Sequence, residues 1–516
     1  MRTRTISRLF GAPLLAAALA GACTDTKTEI VFRDGFNPPA DTASGFLGYY
    51  TVAERQTTCG NCHVGQHADW RNTAHAEAYE TLTSSGGVEQ SCYGCHTVSE
   101  RGNAASTAGR PAGWNAIEHP SYHDVQCESC HGPGLEHLKA PDVVQPLAHV
   151  DVLGSLGASC AGCHQGTHQP YVEEWSASRH ARANQSVIAG YEADPIAFAP
   201  CLSCHEGRSA LKVLGVGANY VERDDAINAT TALGHTCAVC HDPHSAANDG
   251  QLRRPVAERD PSLNLCMTCH NRRSEPSLTS SAGPHAPQGA MILGSAGYRP
   301  GGFAYDTTRI LTTHGSTANE RLCAGCHVNR TTVRDALTDE LIVSVGHLFR
   351  PLPCLENGVP VPGNDCDNYE PANAGSVRSY AACAQSGCHA DQTDAATFLA
   401  VTRGRIENLA VVLWEDLNAN LVLDPDPIDR GYLPTVLLLQ PGEFDPTDNR
   451  ISPAEGALFN AQLLAEGRSA TGDRSRGVHN PFLAEALLRA TIQEMAATYP
   501  FLPPPPPSVF PAAAGR

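Results

Sequence analysis

The sequence is short of what an ordinary protein of its size is built from. Aromatic residues make up 6% and hydrophobic residues 41% of its 516 positions, lean for the apolar cores that two to four domains would need. Something other than side chains is therefore expected to fill part of the interior. Lysine is almost missing, with Lys27, Lys139 and Lys212 the only three. A formal charge of −18 without any basic run excludes an electrostatic footprint for nucleic acid. Beyond the N-terminus no stretch approaches the roughly 18 uninterrupted apolar residues of a membrane-spanning helix.

The N-terminus is the exception. Arg2, Arg4 and Arg8 precede an apolar run from Leu9 to Ala20 and the small residues Gly21 and Ala22, so residues 1–22 read as a secretory signal. Ala20-Gly21-Ala22-Cys23 also resembles a lipobox, in which Cys23 becomes a lipid-anchored first residue; plain cleavage after Ala22 is the alternative. Either way the chain is expected to be exported: periplasmic, outer-membrane-associated or extracellular. Residues 23–50 are polar and turn-rich and read as a linker.

Cysteine is what the chain has in excess, 21 in all. In an exported protein the first expectation is a disulfide framework, but the spacing argues otherwise. C-x-x-C-H occurs as Cys59/Cys62/His63, Cys92/Cys95/His96, Cys127/Cys130/His131, Cys160/Cys163/His164, Cys201/Cys204/His205, Cys237/Cys240/His241, Cys266/Cys269/His270 and Cys323/Cys326/His327. Two thiols at this spacing form thioether bonds to a haem, and the following histidine reaches the iron from the same turn. A lone C-x-x-C could be a zinc site or a redox pair; eight copies followed by histidine point to covalently bound haem c. Cys383, Cys388 and His389, with four residues between the cysteines, read as a ninth site, the alternative being a disulfide to Cys354 or Cys366. Those two otherwise form a disulfide of their own, worth about 3 kcal/mol for so short a loop.

A second histidine on an iron makes a low-spin electron carrier, whereas an open position permits chemistry. Of 23 histidines, nine are proximal and the remaining 14 suffice for every sixth position. The distal candidates are His75, His119, His137, His180, His235, His244, His285, His314, His347 and His479, with His123 able to replace His119; His67, His149 and His168 read as non-ligands.

The chain also repeats. Trp70 with His75-Ala76 after the first motif matches Trp175 with His180-Ala181 after the fourth, so a three-haem module over about residues 59–150 recurs over about 160–250. Three further sites complete a multihaem domain over 51–395. A C-terminal segment, 396–500, is expected to be helical and to pack on the haem core. Within it Thr397–Leu413 has helical apolar spacing, and Pro481–Tyr499 has Asn480 as N-cap with Leu488, Ile492, Met495 and Tyr499 on one face. Residues 501–516 form a proline-rich tail. Asp416, Asn418, Asn420 and Asp424, with the Val422 carbonyl, are spaced like calcium ligands, although the usual glycine and final glutamate are missing. A plain Asx-rich turn is the other reading.

The motif, tryptophan and His75 arrangement, Cys127-Glu128-Ser129-Cys130-His131-Gly132-Pro133-Gly134 with His137, and His235 to His244 around the sixth motif together resemble the cytochrome c554 family. Hydroxylamine oxidoreductase and the octahaem reductases are similar more loosely. The resemblance covers roughly residues 50–390. It implies a mainly α fold with extensive coil and little sheet, in which closely stacked, bis-histidine haems form the core. No lysine adjoins a haem motif and no tyrosine stands in a matching cross-link motif, so the residues behind nitrite reduction and hydroxylamine oxidation in those relatives have no counterpart.

The expected function is therefore electron transfer along about nine haems, with redox partner proteins such as a quinol-oxidising membrane cytochrome or other cytochromes. A multihaem oxidoreductase acting on a small nitrogen or sulfur compound at one open haem is the alternative. A subunit of a filament or a porin–cytochrome conduit is a third.

Overall fold

A computed structural model describes residues 38–105, 110–166, 168–217, 219–305, 314–334, 341–356, 359–360, 376–385, 388–465 and 467–507. The signal segment, Cys23, most of the linker, Cys366 and the end of the proline-rich tail lie outside the described residues.

Each C-x-x-C motif lies in a helical turn, where the i, i+3 spacing brings both thiols to one face. Some motifs are single 3₁₀ turns, at Cys59–Asn61, Cys160–Gly162 and Cys266–Thr268. Others sit on α-helices that are little longer. Up to the last motif the helices are α1 (Val64–Trp70), α2 (Ala78–Ser84), α3 (Gln90–His96), α4 (Cys127–His131), α5 (Leu135–Lys139) and α6 (Tyr171–Ala177), followed by α7 (Gln185–Ala193), α8 (Pro195–His205), α9 (Gly207–Val213), α10 (Cys237–Cys240), α11 (Gln288–Leu293) and α12 (Cys323–His327). Most run for seven residues or fewer, too short to be stable alone. Sheet is confined to small antiparallel pieces: β1 (Tyr49–Thr51) with β2 (Gln56–Thr57), β3 (Thr331–Arg334) with β4 (Leu341–Ser344), and β5 (Cys354–Glu356) between β6 (Val359–Pro360) and β7 (Ser376–Arg378). The fold is mostly helical with little sheet, in line with the sequence.

The apolar core is unevenly distributed. Across residues 40–350 the buried side chains fall into small clusters, such as Phe46, Val98, Ala112, Trp114 and Tyr122, or Tyr49, Trp70 and Ala76. The C-terminal region differs. Helices α13 (Gln392–Leu413), α14 (Tyr432–Leu439), α15 (Pro453–Leu464) and α16 (Pro481–Thr498) enclose one large core with α11, including Met291, Leu413, Trp414, Leu433, Leu487 and Ile492, each fully buried. The lean composition thus conceals a conventional side-chain core at one end of the chain.

Helix α16 begins as its sequence dictates: the Asn480 side chain accepts from Leu483 N at 3.0 Å, and Pro481 takes the first turn. Leu488, Ile492, Met495 and Tyr499 are all buried. The segment before it is fastened to the chain between motifs seven and eight. Ala286 N donates to Thr471 O at 3.1 Å, Gln288 Nε2 to Gly472 O at 3.2 Å, and Tyr298 N to Asn460 Oδ1 at 2.8 Å.

The loop after α13 is closed by its own hydrogen bonds. Asn418 and Asn420 turn their amide groups onto Asp424 Oδ2 at 2.8 and 2.9 Å, and Leu421 N donates to Asp416 Oδ2 at 2.8 Å. No group of three or more histidine, cysteine or acidic side chains that could hold a metal ion occurs among the described residues. Among them, too, no helix is long and apolar enough to cross a membrane.

Candidate haem centres

Motifs are numbered here as sites 1 to 9 in chain order. In each well-formed turn the proximal histidine amide donates back to the first cysteine carbonyl: His63 to Cys59 at 2.9 Å, His164 to Cys160 at 2.9 Å, His241 to Cys237 at 2.9 Å and His270 to Cys266 at 3.0 Å. Site 9 makes the same bond across its longer spacer, His389 N to Cys383 O at 3.2 Å. Cys383 and Cys388 carry free thiols, whereas Cys354 is disulfide-bonded, so the disulfide alternative for site 9 does not hold.

At site 1 Cys62, the second thioether anchor expected there, is exposed, as are Asn61 and His63 on either side of it. The turn closes at Asn61 and Cys62 follows as its C-cap, its amide donating to Cys59 O at 3.1 Å. Cys59 is thereby half-buried and faces Cys127, while Cys62 opens to solvent. Cys160 and Cys388 are exposed too, so protein side chains alone do not enclose sites 1, 4 and 9.

The two tryptophan motifs are built alike. Trp70 Nε1 donates to Val125 O at 3.0 Å and Trp175 Nε1 to His235 O at 2.7 Å; Val125 N in turn donates to His75 O at 3.1 Å and His235 N to His180 O at 2.6 Å. Each tryptophan therefore braces the strand-like approach to the third motif of its group, and each bond fixes the backbone of the histidine five residues beyond it.

The histidines then meet in pairs. Ring centres lie 6.2 Å apart for His63 and His137, 6.1 Å for His164 and His75, and 6.1 Å for His131 and His244. The spacing is 5.9 Å for His205 and His285, 6.2 Å for His241 and His347, and 6.2 Å for His270 and His180. It is 6.3 Å both for His327 and His479 and for His389 and His314. Every pair joins one proximal histidine to one other. A metal–imidazole bond is about 2 Å, and an imidazole nitrogen lies about 1 Å from its ring centre, so two imidazoles on opposite sides of one iron have centres about 6 Å apart. The residues present fit a six-coordinate haem at eight sites.

Site 2 is the ninth. All 23 histidines lie among the described residues, and none stands at this spacing from His96. His119, expected as a distal ligand, also caps a turn, its Nδ1 accepting from Ser121 N at 3.2 Å. Its substitute His123 is stacked on Tyr79 with ring centres 3.5 Å apart. His235 also misses every proximal imidazole at the pair spacing; it sits edge-on to His180 at 5.6 Å, and burial pulls its ring down to about 4. Site 5, its counterpart in the second module, meets His285 from the coil that follows motif seven.

The chain carries two matches to known families: residues 58–132 match the family described as cytochrome c554 and c-prime, and residues 231–275 match the doubled CXXCH motif. It is 26% identical over 178 residues to the multiheme cytochrome MtrA of Shewanella baltica, covering 32% of this chain and 46% of that protein. It is 26% identical over 293 residues to the C-type polyheme cytochrome OmcB of Geobacter sulfurreducens, covering 52% of this chain and 30% of that one. Cytochrome c-554 of Nitrosomonas europaea is 31% identical over 97 residues, 16% of this chain and 38% of the other. The chain is a multihaem c-type cytochrome. It spans less than half the length of the curated relatives it matches. Among solved structures, outer cell wall cytochrome OcwA superposes with a TM-score of 0.42 at 17% identity, covering 78% of this chain and 75% of that one.

Within the cytochrome, the second nitrogen of several paired imidazoles is held by a backbone carbonyl. Nδ1 donates to Pro146 O from His131 at 2.8 Å, to Gly250 O from His241 at 2.6 Å, to Val478 O from His314 at 2.5 Å and to Phe349 O from His327 at 3.0 Å. This leaves Nε2 for iron. His96 is oriented in the same way, to Ala78 O at 3.0 Å. Burial pulls His75, His327 and His347 down to about 4 and His180 to about 3, which keeps these rings neutral and able to ligate. His479 is different: burial alone would lower it, but the carboxylate of Asp473 outweighs burial and the net shift is upward.

The sites also touch through their thiols. Cys59 neighbours Cys127, Cys160 neighbours Cys237, and Cys266 neighbours Cys323. Cys95 likewise neighbours Cys163, and Cys204 neighbours Cys269. Cys130 lies within electrostatic reach of Cys160, Cys240 of Cys266, and Cys326 of Cys383.

Proposed function

We propose that this cytochrome is an electron carrier of nine haems, and that its sites form one trunk with two side branches. The thiol contacts support the order 1–3–4–6–7–8–9 for the trunk, with site 2 joined to site 4 and site 5 to site 7. The connections 1–3, 3–4 and 2–4 recur three sites later as 4–6, 6–7 and 5–7, the pattern a duplicated module would leave. The single observation that carries the reading is the set of eight imidazole pairs at 5.9–6.3 Å. Haem c supplies a one-electron iron centre whose saturated coordination leaves no room for substrate. The cysteines fix each group to the chain, the histidine pairs close both faces, and the backbone carbonyls hold the rings in place. Such a chain accepts electrons from one partner cytochrome or quinol-oxidising protein and delivers them to another. Low-temperature electron paramagnetic resonance of the oxidised protein tests this, with the haem content measured independently: eight low-spin bis-histidine signals per chain are expected, and several high-spin haems would overturn the reading.

One observation favours a second, narrower reading. Site 2 has no imidazole facing His96, and it is a branch rather than a member of the trunk. In this reading it is an open site that binds a small ligand and draws electrons through site 4. Cyanide or carbon monoxide is expected to bind at about one haem in nine, and His96→Met is expected to alter that binding while the other eight sites stay unchanged. Absence of any binding would leave the carrier alone.

A further inference from the structure

Site 8 differs from every other pair in what holds its second ligand. His479 Nδ1 bonds Asp473 Oδ1 at 2.5 Å, and the Asp473 side chain is 1% exposed. The other carboxylates near a paired imidazole are farther off and wetter: Asp394 is 3.6 Å from His389 Nδ1 with 35% exposure, and Asp242 is 3.5 Å from His244 Nδ1 with 29%. Asp473 is itself fixed. Its amide donates to Leu463 O at 2.9 Å, Ser475 Oγ donates to its Oδ2, and Gln288 Nε2 reaches its carbonyl at 3.4 Å. The carboxylate cannot swing to water.

A buried anion accepting the far proton of a ligand imidazole pushes electron density toward the metal and makes the ligand more basic. Both its charge and this donation favour the oxidised iron, so the reduction potential falls. Site 8 lies between sites 7 and 9, as Cys323 meets Cys266 and Cys326 neighbours Cys383.

We propose that Asp473 is a positioning residue that sets the potential of site 8, making it a low step between its two trunk neighbours and so governing how readily site 9 exchanges electrons with the rest. The inference rests on the reading that His327 and His479 share one iron. Reduction adds one electron to the site and breaks no bond; the Nδ1 proton stays within the His479–Asp473 hydrogen bond.

The test is a spectroelectrochemical titration of the full-length holoprotein, followed in the visible and by paramagnetic resonance. In Asp473→Asn, one one-electron component is expected to move to higher potential and one low-spin signal to change its g-spread, with the other components unmoved. In Ser475→Ala, which removes the proton that Ser475 shares with the carboxylate, the same component is expected to move the opposite way. Asp394→Asn serves as the exposed control and is expected to move little. If the Asp473 variant fails to load its haems, the Ser475 variant decides by the sign of its shift. An unmoved titration, or a uniform shift of many components, would overturn the proposal. The underlying ligation fails separately: His479→Ala should turn one low-spin haem high-spin, and an unchanged spectrum would show that the premise, not the role of Asp473, is wrong.

Discussion

Glu128 stands inside the third haem motif and has no cation beside it. Its carboxylate accepts from Leu47 N at 2.9 Å, Gly48 N at 2.7 Å and Gly134 N at 2.7 Å, which ties the chain before site 1 to the loop after site 3. Burial pushes it from an ordinary 4.5 up to about 7. Between those values the folded protein binds more protons at this position than the unfolded chain, so stability falls as pH rises from about 4.5 to 7 and is level above that. The span is on the order of 3 kcal/mol. Thermal unfolding measured across this window is expected to show the fall in the native protein and to lose it in Glu128→Gln, which should be less stable at pH 5 by about 1–3 kcal/mol through an unsatisfied backbone donor. At this scale the sequence was informative about identity but not about partnership. The eighteen motif cysteines and the nine histidines that follow them are legible because the motif is local. His479 and His285 could be named as candidates, yet the histidines they face, His327 and His205, lie in distant segments, and nothing in the sequence sets them apart from His119 and His235. Asp473 carried no signal at all, since a buried aspartate six residues before a histidine has meaning only once the loop is folded.

Helices of the C-terminal region are held by packing, and α16 is the one on which a haem centre depends. Leu487 is fully buried against the close approach of Gly297, and His479 lies just ahead of the helix. Leu487→Ala should cost about 2–5 kcal/mol and loosen the end of the helix that presents His479. The expected outcome is a lower unfolding temperature together with a growing high-spin fraction from site 8 on warming; calorimetry beside variable-temperature absorbance checks it. Helices α13 and α16 are legible in the sequence from apolar period and capping. Helix α15 was equally signalled, because Ser452 and Glu455 form a reciprocal capping box, Glu455 N to Ser452 Oγ at 3.0 Å and Ser452 N to Glu455 Oε2 at 2.8 Å. Helix α14 was not. Its sequence, Tyr432-Leu433-Pro434-Thr435-Val436-Leu437-Leu438-Leu439, is an apolar run too short to separate strand from helix by period.

For the whole molecule the side-chain core is divided unevenly. The small clusters around sites 1 to 7 could not sustain a fold by themselves, whereas α13 to α16 form a core of the ordinary kind. Preventing haem attachment at site 6 with Cys237→Ala should therefore not unfold the chain uniformly. Limited proteolysis is expected to degrade the haem-bearing part quickly and to leave a resistant fragment of roughly residues 390–500, a size that can fold alone. Even loss of both parts would contradict the division. Composition could not have revealed this, because an average over 516 residues hides a core concentrated at one end.

Under the proposed pairing the crossed imidazoles also impose a timetable. Sites 4, 7 and 9 would find their second ligands in chain already made, at His75, His180 and His314. Sites 1, 3, 5, 6 and 8 would wait for His137, His244, His285, His347 and His479. A growing polypeptide would then trail at least one half-dressed iron behind it, and the last pair to close would be that of site 8, when the segment bearing His479 arrives.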